Sequence, residues 1–178
     1  MPDWLIAPYA ADELDALVAL VNSAYRGQSA KVGWAHESDY IDGQRTSLAD
    51  LKADLAGDTS LLTLRAEAGG EILACAVIER LDEAEGAVGY IGMVTVKPDL
   101  QASGVGRVML AAAEDHARAF GAKRARMTVV SIRDTLIAWY ERRGYRDTGE
   151  RRPFPYGDER FGKPRVQGLE FVVLEKAL

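Results

Sequence analysis

Apolar residues recur along this chain with two periods. Leu14, Leu17, Val18, Val21 and Tyr25 fall at helical spacing and predict a helix that Asp12 can cap. Leu48, Leu51 and Leu55 predict a shorter helix between Gly57 and an imperfect capping box made by Ser47 and Asp50. Strands are predicted at 4–8, 59–67, 71–81 and 87–96, the middle two joined at Gly69–Gly70. The run EILACAVIER at 71–80 is apolar on both faces, as an interior strand would be. After Gly106 a helix carries Val108, Met109, Ala112, His116 and Phe120, and Gly121 ends it. Residues 123–130 alternate like a strand. Ser131 with Asp134 can cap a helix containing Leu136, Ile137 and Tyr140, which Gly144 stops. A last strand fits 168–176, with one extra near 145–150. The order β-α-α-β-β-β-α-β-α-β predicts an α/β domain with a mixed sheet. No linker or repeat divides the chain, so one domain is expected over residues 1–178.

Two stretches escape both periods. Residues 27–46 are rich in glycine and polar residues and read as a long loop, a place where function often resides. The other is the junction 93-MVTVKPDLQASGVGRVMLAAAEDHA-117. Lys97-Pro98 ends a strand, because proline has no N–H for the ladder. Gly104 and Gly106 let the chain turn without a Cβ in the way. A helix follows at once, and its first N–H groups have no partners inside it. Those donors and the helix dipole suit an anion. No Lys-Ser/Thr pair follows the second glycine, as a magnesium-nucleotide loop requires, and the third glycine of G-x-G-x-x-G is absent. From the loop alone, a phosphate cradle and a plain glycine turn are both open.

Composition narrows the partners. The chain has 178 residues, 48% of them apolar, and a formal net charge of -5. A net acidic protein is a poor match for nucleic acid, which wants a basic face. The N-terminus lacks a basic region followed by an apolar core, and no stretch reaches the length of a membrane span. A cytoplasmic protein, not membrane-bound, is expected. The one cysteine, Cys75, sits in an apolar run and reads as a buried structural thiol. No His/Cys/carboxylate cluster has metal spacing, so no metal is expected.

Val96, Pro98, Gln101, Gly104 and Gly106 form V-x-P-x-x-Q-x-x-G-x-G, and 138-AWYERRGY-145 follows one helix, one strand and one helix later. Together these resemble the coenzyme A loop and the second signature of the GCN5-related N-acetyltransferases (GNAT superfamily). The strong motifs lie within residues 90–150. The resemblance implies a mostly antiparallel central sheet flanked by helices, with acetyl-CoA as acetyl donor. It implies that backbone N–H groups over Gln101, Ala102, Ser103, Gly104, Val105, Gly106 and Arg107 hold a pyrophosphate. It implies that Val94, Thr95 and Val96 pair with the pantetheine arm like an added strand and polarise the thioester carbonyl. Tyr140 matches the family's frequent general acid, and Arg142 would lie near the phosphates. The sequence departs from the pattern in three ways. Ala102 and Ser103 replace basic residues in the loop. Arg133 stands where many members have asparagine, and would contact the cofactor differently or be a solvated first-turn residue. No glutamate lies in 90–96, so a base must come from elsewhere or act through water.

In the resemblance, the acceptor is held by the loop at 25–46 and the segment 151–165. Trp34, Arg45 and Tyr156 are the candidates for binding it, from a field that includes His36, Phe154, Glu159 and Arg160. Glu37 reads as a base acting through water or as a helix cap. Arg45 reads as a carboxylate ligand or as a partner of an acid such as Asp42. Surface exposure fits His36, and packing fits His116. Arg142, Arg143, Arg146, Arg151 and Arg152 read as a phosphate-attracting patch or, by default, as a solvated face. The expected activity is direct acetyl transfer to an amine of a small molecule or of a protein or peptide. The alternative is a CoA-binding sensor of the same fold without transferase activity. Homodimers are common among such domains, and one is possible here.

Overall fold

The computed structural model of the chain describes residues 4–178. Residues 1–3, the start of the N-terminal stretch read above for a leader, lie outside the described residues. Strand β1 (Leu5–Pro8) leads through a 3-10 turn into α1 (Leu14–Tyr25). The acid that fixes this start is Glu13, which accepts a hydrogen bond from Ala10 N at 2.8 Å, and not Asp12 as expected. Leu17, Leu20, Val21 and Ala24 form the buried face of α1, at the spacing that one side of a helix requires. The expected loop then contains a short helix α2 (Gly27–Ala30) and a two-residue strand β2 (Ile41–Asp42). Helix α3 (Leu48–Asp54) starts at Ser47, whose hydroxyl accepts from Asp50 N at 3.1 Å.

Strands β3 (Thr59–Arg65), β4 (Ala74–Glu83) and β5 (Gly86–Val96) form an antiparallel meander. Helix α4 (Val105–Ala119) follows, then β6 (Arg124–Val130), α5 (Asp134–Glu141), β7 (Arg146–Pro153), β8 (Lys163–Pro164) and β9 (Glu170–Ala177). The main sheet has seven strands in the order β1-β3-β4-β5-β6-β9-β7, and β2 pairs with β8 in a small sheet of its own. Only β5 and β6 run parallel. The interior place expected for 71–80 is that of β4. The small sheet had no signal in the sequence, because two residues carry no period.

One apolar layer joins α1 and α3 to one side of the sheet through Leu17, Val21, Leu51, Leu61 and Cys75. The other joins α4 through Met109, Leu110, Ala113 and Ala117. The buried stripe of α4 is rotated from the expected one, since Ala112 and His116 are only partly covered. Ser131 caps nothing; its hydroxyl accepts from Glu170 N in β9 at 3.2 Å, and α5 starts at Arg133 without a side-chain cap.

Two irregularities open the sheet in its middle. β5 and β6 pair only over Val88–Tyr90 and Arg124–Arg126. Beyond Tyr90 they part, while β6 remains paired with β9 as far as Val130. The β4–β5 ladder slips between Cys75/Thr95 and Val77/Gly92, so Met93 and Val94 face a single partner, Ala76. Met93 takes φ 50 at this bulge. Bulges bend a strand and increase its twist, and this one steers the end of β5 away from β6.

Candidate active site

The loop between β5 and α4 is built to present amides. Ala102 (φ 70) and Gly104 (φ 96) are both left-handed, a conformation that a glycine adopts freely and alanine does not. Ser103 N is spent on Leu100 O, and Arg107 and Val108 N on Gly104 O. The N–H groups of Ala102, Gly104, Val105 and Gly106 have no acceptor among the described residues, and no side chain caps the helix. Backbone donors in such a nest, at a helix N-terminus, form an anion site.

Gln101 does a different job from the one expected. Its Oε1 accepts from Ala35 N at 2.9 Å and its Nε2 donates to Val96 O at 3.3 Å. The side chain therefore ties the loop to β5 and to the segment after α2. A Cβ at Gly33 would overlap the Gln101 amide, so the tie requires glycine there.

A cavity of about 380 Å³ lies over this loop, lined by Trp34, the loop itself, Arg107, Trp139, Tyr140 and Arg143. The two indoles stand 6.4 Å apart. The Arg143 guanidinium lies 3.5 Å from the Trp139 ring centre and donates to Trp139 O at 2.6 Å, while its Nε is buried without a partner. Burial, together with Arg142 and Arg107 nearby, lowers the Arg143 pKa, as expected of a cation short of counter-charge. Arg142 is exposed and lines no cavity. The arginine that faces the loop is thus its neighbour, which read as solvated. Trp34 belongs to this cavity and not to the acceptor side.

A second cavity, about 700 Å³, fills the gap between the parted strands. The two cavities share Tyr25, Val94, Leu136 and Tyr140. Tyr25 donates its hydroxyl to Val94 O at 2.8 Å, and burial pushes its phenol pKa up. Lys97 N bonds Leu73 O on the β4 side. Strand alternation therefore turns the N–H groups of Val94 and Val96 away from β4, toward the gap. The Thr95 hydroxyl is buried and bonds Met93 O at 2.9 Å. Tyr140 is buried at the junction, and its hydroxyl has no hydrogen-bond partner among the described residues. Burial raises its pKa, so the proton stays on Oη at neutral pH.

Glu37 and Arg133 meet each other and not the expected ligands. Glu37 Oε2 accepts from Arg26 Nη2 at 3.0 Å and Nε at 3.2 Å, and Oε1 accepts from Arg133 Nη1 at 3.1 Å. All three side chains are buried. Burial pushes the Glu37 pKa up, but Arg133, Arg45 and Arg26 together outweigh it and hold the carboxyl below the usual range. A carboxylate so held is a poor proton acceptor. Arg26 also donates to the carbonyls of Asp42, Gln44 and Phe161, and Arg133 to Ala35 O at 2.7 Å. The triad thus gathers the segments that wall the second cavity. Arg133 is turned away from the loop cavity.

The remaining candidates divide. Arg45 lines the second cavity, and its guanidinium carbon sits 5.5 Å from the Tyr25 ring centre. Tyr156 lines neither cavity. Its hydroxyl donates to Val166 O and accepts from Leu169 N, each at 2.9 Å, and so pins the C-terminal loop; Phe154 beside it reaches the cavity. His36 also lines neither cavity. Sequence reasoning passed over Tyr25, which read as a core residue, and Trp139, and it read Arg143 only as one of five arginines in a patch or a solvated face. One signal pointed to Arg143. With no basic residue at 102–103, charge for an anion had to come from outside the loop.

Residues 29–145 match the profile of the acetyltransferase (GNAT) family. An IAA acetyltransferase of Azospirillum brasilense is 28% identical over 146 residues, covering 82% of this chain and 85% of that protein. The ribosomal-protein-S18-alanine N-acetyltransferase of Escherichia coli superposes with TM-score 0.69 at 16% identity, over 98% of this chain and 93% of that one. The NatC complex bound to Gag peptide and CoA superposes with TM-score 0.67 at 14% identity, over 98% of each chain. The family profile spans the loop, the parted strands and the Tyr140 helix, and on that ground this chain belongs to the acetyltransferase (GNAT) family.

Proposed function

We propose that the chain carries an acetyl group from acetyl-CoA directly to an amine, of a small molecule or an exposed amino group on a protein or peptide. The observation that carries this reading is the meeting of the two cavities over Val94, Tyr25, Leu136 and Tyr140. One cavity suits a phosphate-bearing thioester and the other an acceptor, and they touch where backbone N–H groups and the phenols of Tyr25 and Tyr140 converge.

The residues present fit the cofactor. Unspent amides at Ala102, Gly104, Val105 and Gly106 would hold phosphate oxygens, with Arg107 and the unneutralised Arg143 supplying positive charge. The freed edge of β5 at Val94–Val96 would pair with an extended arm. Bound there, acetyl-CoA supplies an acyl group activated as a thioester. Val94 and Val96 N–H groups, fixed by the bulge, would stabilise negative charge on a carbonyl oxygen without reorganising. Tyr140 holds at Oη the proton that a departing thiolate needs. Glu37 has both oxygens engaged, so the acceptor amine loses its proton to solvent in the second cavity.

The test has two arms. Thermal melts with acetyl-CoA, CoA and ATP report binding, because a ligand of the folded state alone raises its stability. Amine-dependent release of CoA thiol reports turnover. A shift with acetyl-CoA and not ATP, together with turnover, supports the reading. Binding without turnover on a broad amine panel leaves the sensor alternative, and no shift with either form of CoA overturns both.

A further inference from the structure

The second cavity carries one arginine that forms no ion pair with any carboxylate among the described residues. Four arginines line it. Arg26 and Arg133 both pair with Glu37, and Arg152 pairs with Glu150 at 2.7 Å. Arg45 pairs with no carboxylate among the described residues. The acid that sequence offered as its partner, Asp42, pairs with Arg165 at 3.4 Å. Asp54, also on the cavity wall, forms no ion pair with Arg45; burial raises its pKa against the pull of the Arg45 charge.

Arg45 is also held in place. Asn22 Oδ1 accepts from Arg45 N at 2.7 Å and from Thr46 N at 3.1 Å, which fixes the backbone. The guanidinium lies beside the Tyr25 ring, whose hydroxyl touches Val94 O at the junction of the cavities. A group bound by Arg45 therefore sits one aromatic ring away from the point of transfer. Phe154, Phe161, Phe171 and Met127 give the cavity an apolar wall.

We infer that the acceptor is an amine that also bears a carboxylate on an apolar or aromatic body, and that Arg45 binds the carboxylate. This rests on the acetyl-transfer reading and narrows it. Guanidinium matches carboxylate geometry through paired N–H donors, and a cation in a partly desolvated cavity gains most from an ionised partner. A neutral amine of the same shape would leave Arg45 unpaired.

The experiment measures binding and turnover separately. Phenylalanine, methionine and 4-aminobutanoic acid are each compared with their carboxamides. Calorimetry on CoA-saturated protein gives affinity. Release of CoA thiol from acetyl-CoA gives kcat/KM. The native protein should favour at least one acid over its amide by about tenfold or more, the range of one charge-assisted contact. In Arg45→Gln that ratio should fall to near one, and Arg45→Lys should restore part of it. The acetyl-CoA thermal shift serves as the folding control for each variant, and the Asn22 contact to the Arg45 backbone survives in all of them. Equal binding of acids and amides by the native protein overturns the inference, as does an acid preference that persists in Arg45→Gln. Acid-selective binding that is lost in Arg45→Gln, without turnover on any acceptor, keeps Arg45 as a carboxylate site but refutes the transferase reading and with it the acceptor role.

Discussion

Glu37→Gln separates two roles that sequence left open, proton acceptor and structural clamp. The carboxylate receives three hydrogen bonds from two guanidinium groups, and Glu37, Arg26 and Arg133 are 6%, 6% and 7% exposed. Glutamine keeps one acceptor oxygen but turns an NH2 group toward the other arginine, and it strands two buried positive charges. Breaking a buried pair in this way costs about 3–5 kcal/mol. For a chain of this size each kcal/mol moves Tm by about 2–4 °C, so the variant should melt about 6–20 °C lower at pH 7. The pH dependence has a definite sign. The folded pKa of Glu37 lies below its ordinary value of 4.5. Its contribution is therefore full above that value and is lost as pH falls through the lower folded one. The gap in Tm between native protein and variant should narrow as melts are taken from pH 7 down into that acidic range. Below the melting range, the KM for acceptor should rise, since Arg26 anchors Gln44 and Phe161 around the second cavity, while the pH profile of kcat keeps its shape. A variant that melts within 2 °C of the native protein but loses the acidic limb of its kcat profile would refute the clamp and restore Glu37 as the base.

Tyr140→Phe removes a hydroxyl without a partner, so Tm and the KM for acetyl-CoA should hardly move, while kcat falls by about 100-fold; steady-state kinetics and a melt on one preparation check it. Arg143→Leu keeps an apolar contact on Trp139 but removes the charge, and should raise the KM for acetyl-CoA by about tenfold. The KM for acetyl-pantetheine, which has no nucleotide phosphates, should stay put, and an equal rise for both donors would mean that Arg143 only supports Trp139.

The fold was legible wherever burial imposes a period. α1 must turn Leu17, Val21 and Ala24 to the sheet, and β4 is covered on both faces, so both announce themselves in the sequence. Short elements have no such constraint. β2 and β8 are two residues each and form only because the Arg26 hub holds Asp42 O beside Phe161 O. Caps were misjudged where a tertiary partner outbids the local one. Ser131 lies two residues short of the cap position, which Arg133 occupies, and β9 brings Glu170 N to its hydroxyl.

The site divides along the same line. The loop amides were legible because they depend on local backbone, on a proline, a left-handed alanine and a glycine within seven residues. Side-chain roles were not, because they depend on which distant charges the fold has already spent. Arg133 and Arg45 look alike in the sequence, and so do Arg142 and Arg143. Folding gives Arg133 a buried carboxylate 96 positions away and leaves Arg45 without an ion pair among the described residues, while Asp42 pairs with Arg165. At Arg142 and Arg143, a single step along the end of α5 decides which guanidinium stacks on Trp139 and which faces water. A ligand-binding charge in this fold is one that remains after the internal pairs are made, and that remainder is a property of the whole set of pairings rather than of any motif. Arg45 remains in one cavity and Arg107 and Arg143 in the other, on either side of Tyr140.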